Sequence, residues 1–286
     1  MDRKHLAQLG MVLTTMIWGV TFVMVKEALN DAKPFMFATL RFGLSFILAI
    51  IYVNKGIFKI DKKSVLAGLI CGFCLYVGYS FQNFGLMQTT PSKSAFITSV
   101  SVIMVPVLLV LFRIKTIKNS IWIATFLTVL GLYILLDPAG KGLNLGDILT
   151  FGCALSFAAH VIYQDRYLSR DVNIGILLLI QLFFITLFSG ISVISYEGFE
   201  IVLSQRLMVA IIVTGILATF LALLIMVWAQ TILGPNQTAI LLSLEPVFAA
   251  LFSTFFAGEI LGWNGWIGGF IIVGAILSLE LFSSKK

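Results

Sequence analysis

The chain has 286 residues, of which 59% are hydrophobic and 11% are charged, and its formal net charge is +6. A soluble domain averages about 45–50% apolar and about 25% charged residues, and its surface could not hide so much apolar side chain. The composition therefore excludes an ordinary water-soluble fold. Ten membrane spans of roughly 20 residues would occupy about 200 residues, which leaves only short loops and no room for a soluble catalytic domain.

Ten apolar stretches follow one another along the chain. Each is long enough to cross a hydrocarbon core about 30 Å thick as a helix that rises about 1.5 Å per residue, and the alternating pattern of a β-barrel is absent from the sequence. Proline and glycine mark several breaks, at Pro34, Pro91 and Gly234-Pro235. We predict an all-α membrane protein with ten transmembrane helices at about 7–28, 34–53, 65–87, 92–112, 119–137, 146–165, 173–194, 207–230, 235–257 and 264–282.

Basic residues are distributed unevenly between alternate loops. If the N-terminus is cytoplasmic, thirteen lysines and arginines fall on the cytoplasmic side and five on the other, while Arg41 falls within a span. The positive-inside rule then places both termini of this multi-pass protein in the cytoplasm. Because the basic residues serve topology and form no basic-aromatic patch, we expect no nucleic-acid partner.

The two halves of the chain contain an internal repeat. The segment 90–95 aligns with 234–239 at an offset of 144, and the same offset pairs Ser99 with Ser243, although Pro106 and Pro246 need a small gap. Each half then holds five helices, and an odd number forces the second half to insert upside down. We predict two inverted five-helix repeats, 1–137 and 146–286, joined by a linker at 138–145. Inverted repeats place a substrate site near the midplane and alternate its exposure.

Several motifs of the chain are individually weak but occur in a specific order. They are Ile17-Trp18-Gly19-Val20-Thr21-Phe22, Leu40-Arg41-Phe42, Ala95-Phe96-Ile97-Thr98-Ser99, Gly146-Asp147 and Leu244-Glu245-Pro246. Over nearly the whole chain they resemble the drug/metabolite transporter superfamily, specifically its ten-helix EamA-type branch. Arg113-Ile114-Lys115 departs from the pattern, since many relatives show Gly-Glu there. The resemblance implies two EamA-like repeats and a bacterial plasma-membrane exporter of amino acids, related metabolites or drugs.

Glu245 is the clearest candidate among charges within the spans. Charged side chains are costly in a bilayer, so each is a candidate functional residue. Glu245 lies ten residues into its predicted span, or about 15 Å deep, and Pro246 deprives the preceding turn of a hydrogen-bond donor. Its carboxyl group could exchange a proton, or it could be a structural group hydrogen-bonded between helices, and both interpretations stay open.

Two further ionisable residues lie within predicted spans. Arg41 lies seven residues past Pro34, where it could bind a substrate carboxylate as a planar fork. It could also pair with Glu245, and a structural role is favoured because its shallower depth allows the side chain to snorkel. His160 lies one turn from Gln164 and could relay protons, although a packed histidine is the simpler interpretation.

Aromatic and amide side chains suggest a substrate pathway. Helical spacing places Tyr79 and Asn83 on one face of the third span, and Trp228 and Gln230 lie on the eighth span, its partner in the repeat. Together with Trp18 they could line an amphipathic pathway. Ordinary helix packing is the alternative for each of them.

Other classes of function fit the sequence less well. An intramembrane enzyme acting on lipid-like substrates is the main alternative, but it would want paired carboxylates or a nucleophile with its base, and Glu245 has no partner acid. A channel would want a polar filter. Cys71-x-x-Cys74 lacks a second pair or a nearby histidine for a metal site.

We predict a transporter and not an enzyme, with no catalytic residue, cofactor or metal. Its partners are a small-molecule substrate and the bilayer, with protons left open, in a monomer or weak dimer.

Overall fold

A computed structural model describes residues 2–114, 116–136, 144–168, 173–258 and 262–283. Its α-helices are α1 Arg3–Ala28, α2 Pro34–Val53, α3 Lys62–Gln88, α4 Pro91–Ser99, α5 Ser101–Leu111, α6 Asn119–Leu136, α7 Leu145–Leu168, α8 Ile174–Ser192, α9 Gln205–Val213, α10 Ala222–Leu242, α11 Glu245–Ala257 and α12 Trp263–Ser283. A 3₁₀ turn, Asn54–Lys59, follows α2. Two π-helical segments, Val193–Glu197 and Thr214–Leu221, follow α8 and α9. The predicted linker lies mostly outside the described residues.

Seven helical stretches are long and apolar enough to cross a membrane within the described residues, and the last of them runs from Gln205 to Phe256. That stretch covers two predicted spans, and shorter apolar helices at 119–131 and 266–275 overlap two more. The prediction of an all-helical membrane protein is therefore confirmed. The count of ten stays a prediction.

Local sequence explains where several helices begin and end. The Asp61 carboxylate accepts a hydrogen bond of 2.8 Å from the Ser64 amide, and Thr90 caps α4 just before Pro91; both devices satisfy amides that a helix start leaves unpaired. Gly234 breaks α10 into two pieces, because its φ of +71° is a conformation that glycine adopts at no steric cost. This break separates the predicted eighth and ninth spans.

Large apolar side chains cover the outside of the bundle. On α1 the exposed residues recur with helical spacing at Leu6, Leu9, Leu13 and Met16. Such a continuous apolar surface would be unfavourable in water and is what a lipid-facing helix presents.

The helices pack in a network centred on a few pairs. Helix α3 packs against α7 and α8, α1 packs against α10 and α11, and α6 packs against α12. Small residues permit the closest approaches: a Cβ added to Gly68 would lie 2.3 Å from Ile180, and one added to Gly72 would lie 2.8 Å from the Gln181 carbonyl. The Gly68-x-x-x-Gly72 motif therefore serves packing within the chain.

Two predicted spans are interrupted in the middle. Helix α4 ends at Ser99 and α5 begins at Ser101, while α10 ends at Leu242 and α11 begins at Glu245. Helix α4 packs against α11, and Phe96, Ile97 and Leu244 share one buried cluster. The two interruptions thus face the middle of the bundle, where a substrate site was expected.

Candidate functional site

An internal cavity lies where the interrupted spans meet α1, α2, α3 and α7. The space between its lining residues is about 810 Å³ including the solvent-open mouth. Most of the wall is apolar or aromatic. The polar side chains that line it are Thr21, Arg41, Tyr79, Gln82, Thr98, Ser99, Ser101, His160 and Glu245.

The interrupted spans bring four of the polar groups into the cavity, and Thr98 on α4 is one of them. Ser99 and Ser101 flank the break between α4 and α5, and Glu245 is the first residue of α11. Both breaks keep local backbone hydrogen bonds, because the Val100 amide donates to the Ile97 carbonyl and the Leu244 amide donates to the Leu241 carbonyl, each at 3.1 Å.

Arg41 is held in place by contacts on two sides. Only 3% of the residue is exposed, and its Nε donates a hydrogen bond of 2.7 Å to the Thr219 hydroxyl. The guanidinium carbon lies 4.9 Å from the centre of the Tyr79 ring and 5.2 Å from that of Phe42, within the range of cation–π attraction. The side chain is therefore buried and oriented and does not snorkel, contrary to our expectation.

Glu245 lies in the same cavity and is 8% exposed. Its carboxylate and the Arg41 guanidinium interact electrostatically. The two groups nevertheless form no ion pair within 4.0 Å, and Glu245 has no hydrogen-bond partner among the described residues. A buried carboxylate in this state is costly unless another group meets it.

Trp18, Tyr79 and Phe157 provide the aromatic part of the wall. The Tyr79 ring packs between Arg41 and Phe157. The centres of the Tyr79 and Phe157 rings are 5.0 Å apart. The Trp18 indole donates a hydrogen bond of 2.6 Å to the Ala218 carbonyl. Both aromatics predicted on α1 and α3 are thus fixed against neighbouring helices at the level of the cavity.

His160 lines the cavity, and two sets of buried polar contacts link its helix, α7, to α8 and α10. Its Nε2 lies 3.1 Å from the Gln181 side-chain oxygen. One turn further along α7, the Gln164 amide donates to Gln230, which in turn donates to the Val161 carbonyl, both at 2.6 Å. The Gln164 oxygen and the Gln181 nitrogen have no protein partner. The network fixes α7, α8 and α10 relative to one another.

Three predicted pathway residues do not line the cavity. Asn83 donates to the Pro34 carbonyl at 3.3 Å, Gln230 belongs to the amide network, and Trp228 packs beside the main apolar core. The other five predicted site residues, Trp18, Arg41, Tyr79, His160 and Glu245, line it together. Their roles remain predictions.

Sequence reasoning missed several polar residues of the wall. Gln82 lies one helical turn after Tyr79 on α3, and Ser99 and Ser101 flank Val100. Single serines and threonines often bond to their own helix, as Thr98 and Ser99 do here, so their presence alone does not indicate a site.

A second polar cluster lies next to Leu86, which lines the cavity. The fully buried Asp147 carboxylate accepts hydrogen bonds from the Thr89 hydroxyl at 2.8 Å and from the Lys93 ammonium at 2.6 Å. Lys26 donates to the Leu86 carbonyl at 3.0 Å, and Leu86 itself lines the cavity. These bonds join the ends of α1, α3, α4 and α7.

The described residues contain no group of three or more His, Cys, Asp or Glu side chains that could hold a metal ion. The three cysteines are free, and Cys71 and Cys153 are buried. The cavity itself offers an arginine, a glutamate, hydroxyl and amide side chains and aromatic rings, which are groups that can bind a small molecule.

Known proteins resemble this chain along most of its length. An "Uncharacterized transporter" of Archaeoglobus fulgidus is 33% identical over 98% of this chain and 87% of its own length. A "Probable amino-acid metabolite efflux pump" of Escherichia coli is 25% identical over 78% of this chain and 73% of its own. A solved structure shares the fold, with a TM-score of 0.79 over 98% of both chains at 15% identity.

The family comparison matches each half of the chain separately. The pattern of the EamA-like transporter family fits residues 5–137 and again residues 144–280. The family and the relatives' names indicate transport and not enzymatic catalysis. The resemblance predicted from the motifs is confirmed: this chain is a multi-pass membrane protein that belongs to the EamA-like transporter family.

Proposed function

We propose that this transporter exports small metabolites, such as amino acids or related amphipathic compounds, across the plasma membrane by alternating access. One observation carries the proposal. The two interrupted spans enclose a cavity that combines Arg41 and Glu245 with aromatic walls, and such a cavity can bind a small polar compound while excluding the bilayer.

Alternating access requires two halves that can rock against each other, and the repeat supports this arrangement. The family pattern fits twice, at 5–137 and 144–280. The interruptions at Val100 and Leu244 are related by the offset of 144 found in the sequence. We infer two inverted repeats of five spans each, with ten spans in all.

The packing of the helices has the symmetry that inverted repeats would produce. Exchanging the two halves turns the packing of α1 on α10 into that of α7 on α3, and the packing of α1 on α11 into that of α7 on α5. A hydrogen bond repeats as well: Trp18 donates to the Ala218 carbonyl, and Ser156 donates to the Cys74 carbonyl at 2.7 Å. The two accepting residues are again 144 positions apart.

The orientation and direction belong to the same proposal. The excess of basic residues in alternate loops supports cytoplasmic termini, and it would put the Asp147 cluster at the outer end of the cavity. The name of the Escherichia coli relative, an efflux pump for amino-acid metabolites, supports export and this class of substrate.

Glu245 is the group through which a proton could drive export. It is the carboxylate of the cavity, it has no hydrogen-bond partner among the described residues, and a passive carboxylate at this depth would cost at least about 2.5 kcal/mol on insertion scales. A protein keeps a charged side chain at such a cost where the charge has a function. We therefore include proton coupling through Glu245 in the proposal.

Reconstituted vesicles test the proposal. Purified protein in liposomes should exchange labelled amino acids faster than protein-free liposomes do, and a pH gradient should drive net transport.

Glu245→Gln should insert normally, lose most proton-driven transport and keep part of the exchange. Glu200→Gln, which removes an exposed charge paired with Lys33, is the matched control. Wild-type vesicles that move none of a broad metabolite panel would refute the proposed function, and a Glu245→Gln protein that is as stable and as active as wild type at every pH would remove Glu245 from it.

A further inference from the structure

The start of α2 is capped by a carboxylate from the other half of the chain. One Glu197 oxygen accepts a hydrogen bond from the Phe35 amide and the other accepts one from the Met36 amide, both at 2.9 Å. The first amides of a helix have no intrahelical partner, and the positive end of the helix dipole favours a negative charge there. Because Glu197 ends the π-helical segment after α8, this cap joins the two halves of the chain.

Further contacts continue the connection between the adjoining loops. The Val202 amide donates to the Asp31 carbonyl at 2.8 Å, and the Asp31 carboxylate accepts two hydrogen bonds from the Arg206 guanidinium, at 2.8 and 2.9 Å. A planar guanidinium that donates twice to one carboxylate holds both groups in a fixed geometry. Together with the cap, these contacts of residues 31–36 with residues 197–206 form a clasp across one end of the bundle.

The opposite end of the bundle is organised differently. Exchanging the two halves turns the start of α2 into the start of α8, and the end of α8 into the end of α2. Asn173 precedes α8 and caps it within the same half, because its side-chain oxygen accepts hydrogen bonds from the Gly175 and Ile176 amides at 2.9 and 3.2 Å. Among the described residues, no hydrogen bond joins the start of α8 to the end of α2.

A crevice that is open to solvent lies at this second position. The space between its lining residues is about 1230 Å³ including the mouth. Val53 and Gly56 line it from the end of α2 and the following turn, and Asn173 and Gly175 line it from the start of α8. The same two helices are therefore fastened at one end of the bundle and border a crevice at the other. Inverted repeats transport by opening the two ends in turn, so the clasp should open in the state in which the crevice closes.

We propose that Glu197 holds the clasp closed as a gate between the two halves, and that this gate is released in every transport cycle. The excess of basic residues in alternate loops puts the gate at the outer end. Glu197 is partly buried and caps a helix directly, whereas the neighbouring Lys33–Glu200 pair is 44% and 82% exposed, and surface ion pairs contribute little. The inference rests on the alternating access of the proposed function and adds the contact that such a cycle breaks.

Labelling of the cavity from outside tests the gate without a transported compound. A cysteine in place of Ser99, which lines the cavity, is treated with an impermeant thiol reagent outside cells, and the protein that retains Ser99 gives the background of the native cysteines. Glu197→Gln keeps the size of the side chain but removes its charge and one of its two acceptors, so labelling should become about threefold faster or more as the open state gains population. Glu200→Gln is the matched control and should leave the rate unchanged. No acceleration in Glu197→Gln, or an equal one in Glu200→Gln, would overturn the proposal.

A reversible crosslink gives a result that misfolding cannot imitate. Ala32 and Ile201 lie opposite each other in an antiparallel β-bridge within the clasp. Such pairs have Cα atoms about 4.5–5.5 Å apart, within the range of about 4.4–6.8 Å that a disulfide spans. Oxidation of a protein with Ala32→Cys and Ile201→Cys should slow exchange in vesicles about tenfold or more, because the halves can no longer part at this end. Reduction should restore the exchange, and each single variant should be insensitive to oxidation.

The two measurements separate the gate from the function on which it rests. A crosslinked protein that exchanges as fast as its reduced form would refute the gate while leaving the proposed export in place. Vesicles that move no compound of a broad panel would refute the proposed function, and the labelling rates of Glu197→Gln and Glu200→Gln would then decide on the gate by themselves.

Discussion

The bond between Arg41 and Thr219 allows a sharp test of how the cavity is organised. Thr219→Val replaces the hydroxyl with a methyl group of similar size, so the guanidinium loses an acceptor at 2.7 Å without creating a cavity. A hydrogen bond to a charged group contributes about 1.5–3 kcal/mol. The ring contacts with Tyr79 and Phe42 remain, so the arginine should stay in the bundle but lose its fixed orientation.

We expect the loss to appear in substrate affinity. If the loss of a fixed orientation costs about 1.4 kcal/mol or more of substrate-binding free energy, the apparent KM for the transported compound should rise about tenfold or more. The maximal rate should change little. The assay is concentration-dependent exchange in reconstituted vesicles, normalised to the amount of correctly inserted protein. Thr219→Ser keeps the acceptor and should restore most of the affinity.

The same π-helical segment offers a matched control. Thr214 is fully buried, and its hydroxyl has no hydrogen-bond partner, so Thr214→Val should be neutral or stabilising. Equal effects of Thr214→Val and Thr219→Val, or a Thr219→Ser protein as impaired as Thr219→Val, would refute the role of this bond in positioning Arg41.

Three other outcomes follow from the arrangement of the site. Tyr79→Ala should change substrate preference in a competition assay, whereas Trp228→Ala, outside the cavity, should mainly change abundance; the reverse would contradict the assignment of the wall. Asp147→Asn should weaken the outer end and increase the labelling, by impermeant reagents from outside, of a cysteine introduced in place of Ser99, which lines the cavity; unchanged labelling would contradict a closing role. A cysteine in place of Glu200 should react from outside and one in place of Lys62 should not; the opposite pattern would end the inverted-repeat argument.

The helical framework was largely predictable because its signals are local. Long apolar runs require spanning helices, and proline or glycine marks a break, as at Gly234. The interruption at Val100 and the π-helical segment Thr214–Leu221 were not predictable in this way. No proline or glycine stands at residue 100, and both features depend on hydrogen bonds and packing from other helices.

The same distinction applies to the site. Arg41 and Glu245 could be identified because a charge within a span is costly and therefore rarely accidental. Trp228 and Gln230 gave an equally attractive pattern, yet one packs in the core and the other joins a buried amide network. Sequence spacing tells which residues share a face of a helix, but it does not tell which neighbour that face meets.

The proposed repeat also indicates where function can arise, because the chemistry of the cavity lies where the two halves differ. Residue 101 is a serine, while its counterpart at the offset of 144 is Glu245. Helix α3 is continuous, while the corresponding stretch of the second half contains the π-helical segment. That segment accepts hydrogen bonds from Trp18, Arg41 and Ser45, and two of these donors line the cavity. Because π-helical turns occur frequently at functional sites, occupancy of the cavity is expected to alter this segment first, while the continuous α3 keeps its position against α7 and α8.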